Sequence, residues 1–221
     1  MTNDDILARI DHTLLRADAT WEEIEKLAEE GRHYKCAAIC IPPSYVERAH
    51  IRFGDRPVIA SVAGFPLGYD SAAAKMLEAE TALHNGASEI DMVINLGHLK
   101  NGDHGEVEKE IRGIKKICGE RILKVIIETC YLTEAEKILL CKIVSDSGAD
   151  YIKTSTGFGS AGATLADIEL FKKHIGKNVK IKAAGGVKTR EDLVAFIEAG
   201  SDRIGTSSAV KLLTGEKAGT Y

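Results

Sequence analysis

The chain has 221 residues, 44% of them hydrophobic and 28% charged, the balance of a soluble globular protein with a sizeable core rather than a disordered one. Its 29 lysines and arginines against 33 aspartates and glutamates give a formal charge of −4, which leaves no broad basic surface for nucleic acid or anionic lipid and favours a small-molecule partner. The opening MTNDDILARI lacks the apolar stretch of a secretory signal, no other run is long and apolar enough to cross a bilayer, and Cys36, Cys40, Cys118, Cys130 and Cys141 lack C-x-x-C spacing, so a cytoplasmic protein with reduced, buried thiols is expected.

Short apolar runs rich in β-branched residues begin near Ile10, Ala37, Val58, Glu89, Leu123, Tyr151, Val179 and Arg203, and predict eight strands. The stretches between them are helical in pattern. Many open on a capping signal, in which a side-chain oxygen can satisfy a free helix N–H: Thr20 with Glu23, Ser44 with Glu47, Thr133 with Glu136, Thr164 with Asp167 and Thr189 with Asp192. Three helix ends repeat one device. HNGASEIDM, DSGADYIKT and EAGSDRIGT each place a glycine after helical sequence, then one or two further residues, then a strand.

Alternating strands and helices imply a parallel sheet, and eight such units favour closure into a (β/α)8 barrel, the TIM barrel, over a doubly wound open sheet. The open sheet loses further support because no G-x-G-x-x-G follows an early strand and no G-x-x-x-x-G-K-[ST] occurs. With no proline- or serine-rich linker and no low-complexity segment, residues 1–221 are expected to form one domain.

Three strands carry charge where a covered strand should be apolar: EIDMVIN contains Asp91, YIKTSTG contains Lys153, and VKIKAAGG contains Lys180 and Lys182. By period two, Lys153 and Ser155 lie opposite Ile152, Lys182 shares a face with Lys180 and Ala184, and Asp91 lies opposite Ile90 and Met92. The apolar partners suit the helix layer, which leaves the charges facing the barrel axis. A buried ion-pair network would explain any one of them. Three near the C-terminal ends of strands point instead to an active site, because that is the catalytic face of barrel enzymes. Two close ammonium groups disfavour each other's charge, so one lysine can become a nucleophile for Schiff-base formation, with a carboxylate nearby to move protons. On this reasoning the two lysines are interchangeable. The chemistry needs neither metal nor cofactor.

Glycine and small hydroxyl residues crowd TSTGFGSAG, AAGGV and IGTSSAV, each after a predicted strand and before a helix, where free backbone N–H groups can hold an anion. Any one of these is first of all a tight turn. Two at the seventh and eighth strands, beside a lysine site, favour a phosphorylated substrate.

The blocks DHTLL at 11–15, EIDMVIN at 89–95, LKVIIET at 123–129, YIKTSTGF at 151–158, KAAGGV at 182–187 and RIGTSS at 203–208 resemble those of the 2-deoxyribose-5-phosphate aldolases, in the same order over nearly the whole chain. The resemblance implies a reversible, metal-independent class I aldol reaction that converts 2-deoxy-D-ribose 5-phosphate to D-glyceraldehyde 3-phosphate and acetaldehyde, in deoxynucleoside breakdown or salvage. It also implies the roles: Lys153 as Schiff-base nucleophile, Lys182 lowering its pKa and assisting proton transfer, and Asp91 as proton donor and acceptor. Gly157, Gly185, Gly186, Gly205, Ser207 and Ser208 are implied phosphate contacts, Lys124 and Asp11 polar groups lining the site, and Tyr221 a tail that folds over it. A homodimer or homotetramer is the implied assembly.

The rivals are another Schiff-base barrel acting on a ketose donor, and a phosphosugar-binding barrel without catalysis. A metal-dependent aldolase is disfavoured because His12, His33, His50, His84, His98, His104 and His174 show no H-x-x-x-H or H-E-x-x-H spacing.

Overall fold

The computed structural model describes residues 1–215; Tyr221, and with it the expectation of a tail over the site, lies outside them. The order is α1 (Asn3–Leu7), β1 (Ile10–Thr13), α2 (Trp21–His33), β2 (Ala38–Cys40), α3 (Pro43–Phe53), β3 (Ile59–Ala63), α4 (Ala72–His84) and β4 (Glu89–Val93). It continues with α5 (Leu96–Asn101), α6 (His104–Cys118), β5 (Ile122–Ile126), a 3-10 turn (Thr129–Tyr131), α7 (Glu134–Asp146), β6 (Tyr151–Lys153), α8 (Leu165–His174), β7 (Lys180–Ala184), α9 (Arg190–Ala199), β8 (Arg203–Thr206) and α10 (Ala209–Thr214). Each strand pairs in parallel with the next, and β8 pairs with β1, so the sheet closes into the expected (β/α)8 barrel. No helix among the described residues is long and apolar enough to cross a membrane.

Period two divides the strand side chains as expected. Ile39, Ile59, Ile90, Val125, Ile152 and Ile181 join the large cluster that the helices cover, together with Ile24, Leu27, Ile111 and Phe171. Burying each such side chain contributes roughly 1.5–3 kcal/mol. The alternate residues of β2 and β3, Ala38, Cys40, Ala60 and Val62, form a separate small cluster. Their small volume on one side of the barrel complements the long basic side chains carried by β5, β6 and β7.

The caps follow from local chemistry. Thr20, Thr133 and Thr189 form reciprocal capping boxes with Glu23, Glu136 and Asp192. Thr164 accepts from the Asp167 N–H, but the Asp167 carboxylate pairs with Lys137 at 2.6 Å. The expected cap at Ser44 does not form. The helix begins earlier, with Pro43 in its first turn, because a proline there needs no N–H partner and its backbone is preset for the helix. The repeated helix-end glycines, Gly86, Gly148 and Gly200, all have positive φ, which reverses the chain into the next strand without a Cβ clash.

Two further expectations need correction. Lys180 does not reach the barrel interior: it lies at the solvent-facing start of β7, exposed, with Nζ 5.8 Å from the Tyr151 ring centre. Cys130 is half-buried because it lies in the turn after β5, whereas Cys36, Cys40, Cys118 and Cys141 are buried; all five are free thiols. Burial raises the Cys40 thiol to about 11, with the Asp91 charge adding to the effect, so it stays protonated at neutral pH.

Candidate active site

Strand register brings the charged residues together. Asp91 of β4 stands beside Lys124 of β5, and Lys153 of β6 stands beside Lys182 of β7. Asp91 is the hub: its Oδ1 accepts from Lys124 at 2.7 Å, and its Oδ2 accepts from both Lys153 at 2.8 Å and Lys182 at 2.7 Å. Lys182 also donates to Asp11 at 2.5 Å, while Lys124 meets Glu89 at 2.6 Å and Asp11 at 3.5 Å. Arg203 closes the network through Asp11 at 2.5 Å and Glu89 at 3.1 Å. Asp11, Asp91, Lys124 and Lys182 are wholly buried and Lys153 nearly so.

Three carboxylates, Asp11, Glu89 and Asp91, therefore face four basic side chains. Among the described residues this leaves one positive charge in excess, and the pattern of partners singles out one side chain. Among the described residues Lys124 reaches three carboxylates and Lys182 two, whereas Lys153 has only an oxygen of Asp91 that it shares with Lys182. Burial lowers the Lys153 pKa and Lys182 adds to that effect, against the opposing pull of Asp91. For Lys182, burial also favours the neutral amine, but Asp11 and Asp91 outweigh it and its pKa is raised. Lys124 is raised well above its usual value by the same balance, with Asp91, Asp11 and Glu89 overcoming burial. Burial opposes the ionised form of Asp91, yet Lys124, Lys153 and Lys182 hold it well below the usual carboxylate range. Of the three network lysines, Lys153 is thus the one whose surroundings favour the neutral amine.

The cavity above this network has a volume of about 280 Å³. It opens at the C-terminal ends of β1, β6, β7 and β8, among Thr13, Lys153, Ala184 and Thr206. Lys153 lines it; Lys182, Lys124, Asp91 and Asp11 lie beneath, outside its lining. All six residues expected to hold phosphate, Gly157, Gly185, Gly186, Gly205, Ser207 and Ser208, border it.

Their glycines serve different ends. Gly185 and Gly186 have φ of 75° and 80°, and Gly185 packs so closely that a Cβ built on it would come within 3.1 Å of the Gly162 backbone. Together they form a backbone wall on one side of the cavity. Gly205 lies within β8 rather than in the loop beyond it, and a Cβ there would sit 3.1 Å from Lys182 Cε. The stem of Lys182 occupies the space that any side chain at 205 would need.

Sequence reasoning passed over Glu89 and Arg203 as site residues and set no role for Glu128. Glu89 shares the strand face of Asp91 two residues on, which was the available signal. Arg203 gave no such sign, since its partners come from β1 and β4. The same holds for Arg16 and Phe158, which reach the cavity from the loops after β1 and β6.

The family model described as DeoC/LacD family aldolase matches residues 6–213. A deoxyribose-phosphate aldolase of Clostridium botulinum (strain Eklund 17B / Type B) is 58% identical over 221 residues, covering all of both chains. That of Clostridioides difficile (strain 630) is 55% identical, covering 98% of this chain and 99% of its own. Among solved structures, the tetrameric deoxyribose phosphate aldolase of Aeropyrum pernix superposes with a TM-score of 0.88 at 34% identity, over 97% of this chain and 92% of that one. The buried strand lysines, the cavity at the C-terminal ends of the strands and the length of these matches agree: the chain belongs to the DeoC/LacD family of aldolases.

Proposed function

We propose that the protein is a deoxyribose-phosphate aldolase, cleaving 2-deoxy-D-ribose 5-phosphate reversibly to D-glyceraldehyde 3-phosphate and acetaldehyde through a Schiff base on Lys153. The observation that carries the lysine assignment is that Lys153 alone in the charged network borders the cavity and alone has its pKa lowered among the network lysines. Its neutral amine attacks the C1 aldehyde carbon, and loss of water gives the imine. Protonated, that imine accepts the electron pair of the C2–C3 bond as the C3 hydroxyl gives up its proton. The resulting two-carbon enamine is reprotonated at C2 and hydrolysed to acetaldehyde, freeing Lys153.

Lys182, held protonated between Asp11 and Asp91, keeps the neighbouring amine neutral and serves as a proton source. Asp91, held ionised, begins the cycle as an acceptor and exchanges protons with the two lysines it bridges. Asp11 and Lys124 act from beneath, orienting that bridge. Gly157, Gly185, Gly186, Gly205, Ser207 and Ser208 form the phosphate end, with backbone amides and hydroxyls suited to a dianion.

Residues 1–221 are one domain in this reading, supported by barrel closure between β1 and β8 and by the span of the family match. The protein works in the cytoplasm on a small phosphosugar, with no nucleic-acid or membrane partner. It assembles as a homodimer or homotetramer, supported by the tetrameric Aeropyrum pernix relative, and light scattering of the purified protein measures this. The chemistry is tested by borohydride reduction during turnover, followed by peptide mass spectrometry. A two-carbon adduct on Lys153, absent from Lys153→Leu, is the expected result; an adduct on Lys182 would reverse the two lysines.

A further inference from the structure

The turn between β5 and α7 carries a carboxylate that the chemistry above does not use. Glu128 is 3% exposed and has φ 53°, a left-handed conformation that non-glycine residues seldom adopt. The backbone on both sides of it is tied to the strand bearing Lys153: Ile127 N–H donates to the Lys153 carbonyl at 3.1 Å, and Thr129 N–H to the Thr154 carbonyl at 2.9 Å. That backbone conformation turns the Glu128 side chain under the segment following Lys153.

There the carboxylate accepts from the Thr156 backbone N–H, at 3.2 Å and 3.3 Å from its two oxygens, and from the Thr156 hydroxyl. The same hydroxyl oxygen accepts from the Phe158 N–H at 3.0 Å. One carboxylate thereby fixes three successive residues, Thr156, Gly157 and Phe158, all of which line the cavity. Glu128 itself does not line it. The fit is close, since a Cβ built on Gly159 would sit 3.1 Å from Glu128 Cδ. Burial raises the Glu128 pKa, while the Thr156 bonds and the charge on Lys153 pull it back. No exposed cation competes for it in the described contacts. Thr156 is largely buried, so removing the carboxylate would leave its N–H and hydroxyl without the partner that now orients them.

We propose that Glu128 is a positioning residue that holds the 156–158 turn against the phosphate end of the cavity, and so sets the affinity for the phosphorylated substrate without touching it. This rests on the aldolase reading of the site. Acetaldehyde carries no phosphate, so its imine with Lys153 separates the two halves of the site.

The test compares wild type with Glu128→Ala and Glu128→Gln in two measurements: steady-state kinetics on 2-deoxyribose 5-phosphate, and borohydride trapping of acetaldehyde on Lys153. Glu128→Ala is expected to raise KM by about tenfold or more, the scale of losing a charge-assisted hydrogen bond, while acetaldehyde trapping changes by less than about twofold. The amide oxygen of Glu128→Gln can still accept from the Thr156 N–H and should recover most of the KM. If Glu128→Ala does not fold, Glu128→Asp, which keeps the charge but falls one methylene short, should show the same split. An unchanged KM, or KM and trapping impaired together, overturns the proposal. Failure of wild type to trap acetaldehyde at Lys153 would instead overturn the aldolase reading on which it rests.

Discussion

Lys153 and Lys182 donate to one and the same oxygen, Asp91 Oδ2, at 2.8 Å and 2.7 Å, yet their pKa values move in opposite directions. Identical residues on neighbouring strands are distinguished by what else they touch. Asp11 holds Lys182 as a cation, and the cavity leaves Lys153 without a second carboxylate.

Lys182→Met therefore raises the Lys153 pKa. The variant loses the neighbouring positive charge and leaves Asp91 Oδ2 to Lys153 alone, and both changes favour the protonated amine. The ascending limb of kcat/KM against pH is expected to move to higher pH, as is the pH dependence of borohydride trapping. An unshifted limb in a folded variant would remove Lys182 from the control of that proton.

Asp91→Asn leaves the buried ammonium groups of Lys124 and Lys182 around a neutral amide, and the expected loss of stability is about 3–5 kcal/mol. The wild-type contribution depends on pH in a defined sense. Because the folded carboxyl titrates well below the usual 3.8, its stabilisation is complete above that value and is lost as pH falls through the depressed folded value. Urea midpoints measured downward from pH 6 should fall more steeply below about 3.8 for wild type than for Asp91→Asn.

Gly162→Ala tests the backbone wall at the proposed phosphate end. A Cβ at 162 would lie 2.4 Å from the Gly185 carbonyl carbon and 2.7 Å from the Gly186 nitrogen, both backbone atoms, so the 185–186 segment must shift. The expected effect is a KM for 2-deoxyribose 5-phosphate raised by about tenfold, the cost of a displaced hydrogen-bonding segment, with acetaldehyde still trapped on Lys153. Equal KM values would show that this segment does not bear on the phosphate.

A second buried pair lies outside the site. Lys75 of α4 is wholly buried, with Nζ 2.7 Å from Glu110 of α6 and 2.8 Å from the Val93 carbonyl at the end of β4. Lys75→Met strands Glu110 and should cost about 3–5 kcal/mol, whereas Lys75→Met with Glu110→Leu should recover much of that loss. Denaturant unfolding of the single and double variants distinguishes a stranded charge from simple loss of packing.

Much of this protein was legible in its sequence because it rests on local periodicity. The eight strands lie within one residue of their expected starts, since β-branched runs bounded by capping threonines and positive-φ glycines have few other conformations. The one cap that did not form, at Ser44, fell beside a proline whose ring preset the helix start earlier. Period two likewise placed Asp91, Lys153 and Lys182 on inward faces, because a single strand carries that information. It misplaced Lys180, since whether an inward residue is enclosed depends on its height along a barrel that only the closed sheet defines.

The sequence by itself determined the alternation of strands and helices, the inward charges, and the glycine-rich ends of the last strands. Only the family resemblance favoured Lys153; the strand pattern left the choice between the two lysines symmetric, because both are the same residue type on inward faces. Tertiary structure gives the two lysines different surroundings through long-range contacts: Asp11 comes to Lys182 from 171 residues away, and Arg203 and Glu89 join from strands 114 residues apart. A pKa depends on burial and on every nearby charge, and those are properties of the assembled barrel. Only there does Lys153 acquire both an open cavity and a proton it can lose.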